Sequence, residues 1–299
     1  SQLPTAMLAA LFTLSATLSL LPGTSTPPRV RSAVFRVPVS PVSVDAVLPA
    51  AAPSMVIVEE DAKAVAAKVF ARVDAAAQAA IAERGQFALA IPGGSILKML
   101  AGTKPAWAAQ TTIAYVNHKA VPMDDAALST HAKARALFLD GWEGCHTLVM
   151  GGTGDATAEA QAYEAQLRAL PAGVLPVGAD GLPLFDMALI GVGDDGHVGS
   201  LYPNRNEVLD GTGRWVLPVE MKTPGSITLS LGVMAGARQV VVAACGVSDK
   251  YPQGKSAGMK RAIEGDETVS SFPAVGLRQA ATWIIDRAAA SQLSQGYAS

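Results

Sequence analysis

The run Phe185-Asp186-Met187-Ala188-Leu189-Ile190-Gly191-Val192-Gly193-Asp194-Asp195-Gly196-His197-Val198-Gly199-Ser200-Leu201-Tyr202-Pro203 decides the fold of this chain. Asp186 to Ile190 is short, apolar and β-prone, and it ends abruptly in glycine, as a buried strand of a parallel sheet does. The ten residues that follow, Gly191 to Ser200, hold four glycines and a histidine. Glycines let the backbone take left-handed dihedrals and pass close to a ligand. A histidine exchanges a proton near neutral pH, and Asp195 beside it can fix its tautomer or orient a water. A tight acidic turn capped by His197 is the bland alternative, but it does not need so many special residues together.

Working outward, the same grammar recurs. Phe87 to Ile91 is a strand that runs into Pro92-Gly93-Gly94-Ser95 and then a short helix. Backbone N–H groups of Gly93, Gly94 and Ser95 at a helix start can approach an anion, although such a turn is often purely structural. Met55 to Val58, Thr111 to Val116, Thr147 to Met150 and Gln239 to Ala244 read as further strands. Helices are expected over Asp61 to Glu83, Asp125 to Phe138, Ala156 to Leu170, Lys255 to Glu264 and Trp283 to Ala290. Strands alternating with helices predict an α/β fold with a Rossmann-like, mostly parallel sheet and helices on both faces. Such sheets bind ligands at the carboxyl ends of their strands. A third loop, Lys222-Thr223-Pro224-Gly225-Ser226, precedes the β-rich Ile227-Thr228-Leu229 and offers Lys222 to a phosphate or a developing oxyanion. An isolated lysine is more often a solvated surface group.

Composition narrows the function classes. Among 299 residues half are hydrophobic and 16% are charged, which describes a packed globule. A formal net charge of −2 gives no general attraction for nucleic acid, which is excluded as a partner, so an anionic ligand needs a local site. Cys145 and Cys245 sit in or beside apolar runs and read as structural thiols.

The N-terminus reads differently. Ala6 to Leu21 is apolar or small, and a Pro/Ser/Thr-rich stretch with Arg29, Arg31 and Arg36 follows, with no acidic residue before Asp45. An apolar run of that length is short for a membrane span and suits a signal-peptide core; the arginine-bearing stretch resembles a transit peptide. Residues 1–53 are therefore expected to be a bipartite targeting leader, or a disordered segment, before one domain over 54–299. That places the mature protein, with no membrane span, in a plastid, with the cytoplasm as the alternative.

Taken in order, the loops resemble the 6-phosphogluconolactonase family, within the fold group that includes glucosamine-6-phosphate isomerase/deaminases. The quoted run is similar to the family's Gly-x-Gly-x-Asp-Gly-His-x-x-Ser-Leu-Phe-Pro signature, and its ending Ser200-Leu201-Tyr202-Pro203 is similar to the lactonases rather than the deaminases. The resemblance implies hydrolysis of a sugar-phosphate lactone, 6-phosphogluconolactone, with no metal and no cofactor. His197 would be the general base and Asp195 would shape the site. Gly93, Gly94, Ser95, Lys119, Gly196, Ser200 and Lys222 would bind substrate or phosphate.

Four departures accompany the match. Ser-Gly-Gly-Ser-Thr-Pro becomes Pro92-Gly93-Gly94-Ser95-Ile96-Leu97, and Asp-Glu-Arg before Val-Pro becomes Asn117-His118-Lys119. The Ser-Asn pair expected after Val-Pro is not evident near Ala127 to Ser129, and the arginine before Ile-Thr is Ser226. Lys119, His118 and Lys260 are the cations available to compensate. These changes leave a second reading open: a non-catalytic relative kept as a binding or structural subunit of a plastid assembly, with a protein partner. A sugar-phosphate isomerase is a third, without ring-opening groups to support it.

Overall fold

Asp61 starts the first long helix as an N-cap, its carboxylate accepting from the Ala64 N–H at 2.8 Å, and Gly85 stops it in the left-handed region at φ 75°. The computed structural model describes residues 53, 55–247, 254–294 and 296–297. Apart from Pro53, the stretch read as a leader lies outside these residues.

In chain order the elements are β1 (Met55–Glu59), α1 (Ala62–Arg84), β2 (Phe87–Ile91), α2 (Ser95–Met99), β3 (Thr111–Tyr115) and β4 (Asn117–Lys119). Then come α3 (Thr130–Leu137), β5 (His146–Thr147), α4 (Ala156–Ala169), β6 (Met187–Ile190), β7 (Val216–Val219) and β8 (Ser226–Leu229). The described chain closes with α5 (Leu231–Ala235), β9 (Val240–Ala244), α6 (Ser256–Glu264), β10 (Ala281–Asp286) and α7 (Arg287–Ala290).

Seven strands form one sheet in the order β1-β10-β9-β6-β2-β3-β5, and every pairing in it is parallel. Strands β2, β3, β6 and β9 are buried along their whole lengths, so both faces of the sheet are covered and these strands read as unbroken apolar runs. The expected α/β, Rossmann-like architecture is therefore the observed one. From β2 the chain moves to β3 and β5 on one side; from β6 it moves to β9 and β10 on the other. The crevice between β2 and β6 is thus a topological switch point, where open α/β sheets bind ligands. Gly93-Gly94-Ser95 and the His197 loop follow those two strands.

Three expectations change. Trp283 to Ala290 is not one helix: Ala281–Asp286 is strand β10, inserted between β1 and β9, and only Arg287–Ala290 is helical. Trp283, Ile284 and Ile285 are fully buried there, an environment that favours β-branched and aromatic side chains in a strand. The helix expected from Asp125 begins at Thr130, because the Asp125 carboxylate accepts from the Ala127 and Leu128 N–H groups in a turn and Ser129 supplies the cap. The strand expected over Thr147 to Met150 is the two-residue edge strand His146–Thr147, followed by a loop whose Gly151 N–H is taken by the buried Glu159 carboxylate at 2.9 Å.

A second sheet, antiparallel and not foreseen, has the order β4-β8-β7. Its register sets Lys119 opposite Ser226 and Ser226 opposite Val219. Both cysteines are free and partly buried, and burial pushes each thiol up to about 11, so they stay protonated near neutral pH.

Candidate active site

Gly193 and Gly196 decide the shape of the His197 loop. A Cβ on Gly193 would fall 2.0 Å from the His197 Nδ1, so the imidazole folds over that backbone because no side chain is there. Gly196 has φ 84°, and a Cβ on it would stand 2.4 Å from the Phe272 ring, which is fully buried. The loop closes on itself through Gly193 N–H to His197 O and Gly196 N–H to Gly193 O, both at 2.9 Å. Gly196→Ala is therefore expected to lower stability by about 1–3 kcal/mol from overpacking alone, read as the urea midpoint. An unchanged midpoint would mean that Phe272 moves aside freely.

The loop presents its imidazole half-buried, with 28% of the side chain exposed. Nδ1 lies 2.6 Å from Asp195 Oδ1, and the same oxygen accepts the His197 backbone N–H at 3.1 Å. An ionised carboxylate only accepts, so the Nδ1 carries the proton, and in the neutral imidazole Nε2 then holds the lone pair. Burial pulls the Asp195 carboxyl up, but the hydrogen bonds from the His197 ring and backbone outweigh it and hold it below the ordinary carboxylate value. Asp195 thus stays charged through the neutral range.

Beside the imidazole stands Tyr202, its ring centroid 4.8 Å away and tilted by 37°. Lys222 covers the other ring, its Nζ 4.6 Å from the Tyr202 centroid and 3.4 Å from the phenol oxygen. Tyr202 and Lys222 share a small cavity of about 70 Å³ with Asn117, Lys119, Ser200 and Ser226. No carboxylate is among the described residues lining it. Two ammonium groups and several hydroxyls without a counter-charge favour an anion.

The two sheets bring these groups together. The second sheet places Lys119 and Ser226 as a directly opposed cross-strand pair at the cavity. Ser200 is tied to it by its N–H to Thr228 Oγ1 at 3.2 Å and by Asn117 Nδ2 to Ser200 Oγ at 3.2 Å. Of the residues expected in the site, Lys119, Ser200 and Lys222 line one cavity, and His197, Asp195 and Gly196 adjoin it through Tyr202. Gly93, Gly94 and Ser95 are not in its lining; they lie at the carboxyl end of β2, next to β6. Gly94 and Ser95 are exposed there, while Ile96 is buried against the Gly191 backbone.

Of the three cations available to replace the missing arginines, Lys119 lines the cavity. His118 is buried at 1% exposure, with Nδ1 2.7 Å from the Lys119 carbonyl and the His131 N–H donating to Nε2 at 3.1 Å. Burial pushes its pKa down, so it serves as a neutral strut behind Lys119. Lys260 sits on α6 and donates to Ser294 Oγ. Ser129, near which no Ser-Asn pair was evident, caps α3 and lies 3.2 Å from His118 Nε2. Tyr202 was missed as a site residue because its ring contacts are non-local; only its place in the quoted signature pointed to it.

The model of the family described as glucosamine-6-phosphate isomerases/6-phosphogluconolactonase matches residues 60–285. The chain belongs to that family. The chain is similar to the 6-phosphogluconolactonase of Rattus norvegicus, 31% identical over 230 residues that cover 71% of this chain and 82% of the relative. A protein of Oryza sativa subsp. indica, "Probable 6-phosphogluconolactonase 3, chloroplastic", is 26% identical over 72% of this chain and 68% of its own. Among solved structures, the 6-phosphogluconolactonase from Leishmania guyanensis superposes with a TM-score of 0.66 at 23% identity, covering 82% of this chain and all of that one. That likeness shows the fold.

Proposed function

We propose that this chain hydrolyses 6-phosphogluconolactone to 6-phosphogluconate, in the oxidative pentose phosphate pathway. One observation carries the reading: a His–Asp pair whose Nε2 makes no hydrogen bond among the described residues, beside a cavity that holds two lysines and no carboxylate among its described lining residues. The cavity is too small for a whole sugar phosphate, so it suits the phosphoryl end and leaves the lactone over the imidazole.

In this mechanism His197 Nε2 takes a proton from water as the water oxygen attacks the lactone carbonyl. Asp195 steadies the imidazolium that forms, through the Nδ1 hydrogen bond. Backbone N–H groups offset the negative charge on the former carbonyl oxygen, while Lys222 holds the phosphate. The tetrahedral adduct then collapses: the ring C–O bond breaks, the imidazolium returns its proton to the leaving ring oxygen, and the acid so formed ionises. Gly93, Gly94 and Ser95 are assigned to substrate contact at the switch point, with Lys119, Ser200 and Gly196 around the phosphate and the loop. No step requires a metal or cofactor.

The test is hydrolysis of freshly made 6-phosphogluconolactone by the whole chain against the spontaneous rate. A clear excess, with Lys222→Met raising KM about tenfold through loss of a charged contact, supports the reading. A rate equal to background removes it. Ser226 at the cavity favours the second reading, a non-catalytic relative that works as a binding or structural subunit with a protein partner. Such a chain shows no turnover and copurifies with that partner. The leader over 1–53 is assigned to plastid targeting and 54–299 to the catalytic domain, in keeping with the chloroplastic designation of the rice relative. Among the described residues no helix is long and apolar enough to cross a membrane.

A further inference from the structure

Tyr202 touches both halves of the site. One face of its ring meets the His197 imidazole at 4.8 Å, and the Lys222 ammonium lies 4.6 Å from its centroid. The phenol oxygen is 3.4 Å from the Lys222 Nζ. An ammonium has protons to give and no lone pair, so in that contact the phenol accepts. The phenol's own proton is then left to donate. Among the described residues the hydroxyl makes no other hydrogen bond, and Tyr202 is one of the residues lining the cavity that carries Lys119 and Lys222, with no carboxylate among its described lining residues. A donor polarised by a neighbouring cation, in a cavity of positive charge, suits an anionic oxygen.

We propose that Tyr202 is a specificity-determining residue: its hydroxyl, held by Lys222, donates to an oxygen of a phosphate monoester and thereby selects phosphorylated lactones over unphosphorylated ones. The inference rests on the hydrolytic reading of the same site and deepens it. The ring does a separate task, packing against both the His197 imidazole and the Lys222 ammonium.

Tyr202→Phe separates the two tasks, because it keeps the ring, the stack on His197 and the cation–π contact, and removes only the hydroxyl. In the whole chain, KM for 6-phosphogluconolactone is expected to rise about tenfold with kcat within about twofold, and affinity for 6-phosphogluconate by calorimetry to fall by the same factor. Hydrolysis of unphosphorylated gluconolactone should not change. Equal 6-phosphogluconate affinity in parent and variant overturns the proposal. So does a parent that does not bind 6-phosphogluconate, or an equal loss with the unphosphorylated lactone. A parent that binds 6-phosphogluconate but turns nothing over sinks the hydrolytic reading alone, and the affinity ratio still decides the role of Tyr202.

Discussion

His197→Ala is expected to lower kcat/KM for 6-phosphogluconolactone by about 10²–10⁴-fold, the usual contribution of a positioned general base, and so to bring the chain to the spontaneous rate. The lactone is an activated ester and its uncatalysed opening is already easy, so the base and modest charge stabilisation account for most of the acceleration available. The ring is partly exposed at the loop surface, which makes its removal tolerable to the fold. His197→Gln is the companion variant, because it keeps bulk and a hydrogen bond to Asp195 while lacking a basic nitrogen. Both variants should still bind 6-phosphogluconate, since the lysines are untouched. The pH profile adds a second readout. Asp195 has its pKa depressed by the His197 hydrogen bonds, so its charge is present above the ordinary carboxylate range and is lost only on strong acidification. An activity limb near neutrality therefore belongs to a group other than Asp195. Retained turnover in His197→Ala would move the base to another residue of the site.

The parallel sheet and the His197 loop were legible because both are local in sequence. Leu189 and Ile190 running into Gly191, and Ile91 into Pro92-Gly93-Gly94, each carry strand, turn and loop in one short window. Strand β10 was not legible for the opposite reason. Trp283-Ile284-Ile285 adjoins the alanine-rich Arg287–Ala290, and only pairing with Val56 to Val58 and Val242 to Ala244, remote in sequence, makes it extended. The second sheet is built from strands of three and four residues, too short to show a period. Yet that sheet sets the cavity. It faces Lys119 with Ser226, so two of the sequence departures are one cross-strand pair. Tyr202 is a similar case: its neighbour His197 is five positions away, but Lys222 reaches it across twenty.

Asp186→Ala is expected to cost about 3–5 kcal/mol of folding stability, a large share of the roughly 5–15 kcal/mol that holds a domain together. The reason lies just before β6, at the base of the strand that carries the His197 loop. Asp186 is 3% exposed, and its carboxylate accepts from Arg84 Nη2 at 2.8 and 2.7 Å and from the Ala88 N–H at 2.8 Å. One side chain thereby joins the end of α1, the start of β2 and the start of β6. Arg84 is itself largely buried, and among the described residues its Nε and Nη1 have no hydrogen-bond partner, although Nη1 lies 3.6 Å from a Glu83 oxygen. Without Asp186 that guanidinium is a buried charge with Arg238 as its neighbour's former partner, 3.6 Å from the same carboxylate. Truncation thus leaves a charge uncompensated and a strand N–H unpaired, the two conditions under which a buried ion pair is costly to break. A cycle with Arg84→Met separates them. The double variant Arg84→Met/Asp186→Asn, which removes the charge and keeps an acceptor for Ala88, should be less destabilised than the sum of its two single variants by at least about 1 kcal/mol in urea unfolding. Additive losses would mean that the carboxylate works through the strand N–H alone.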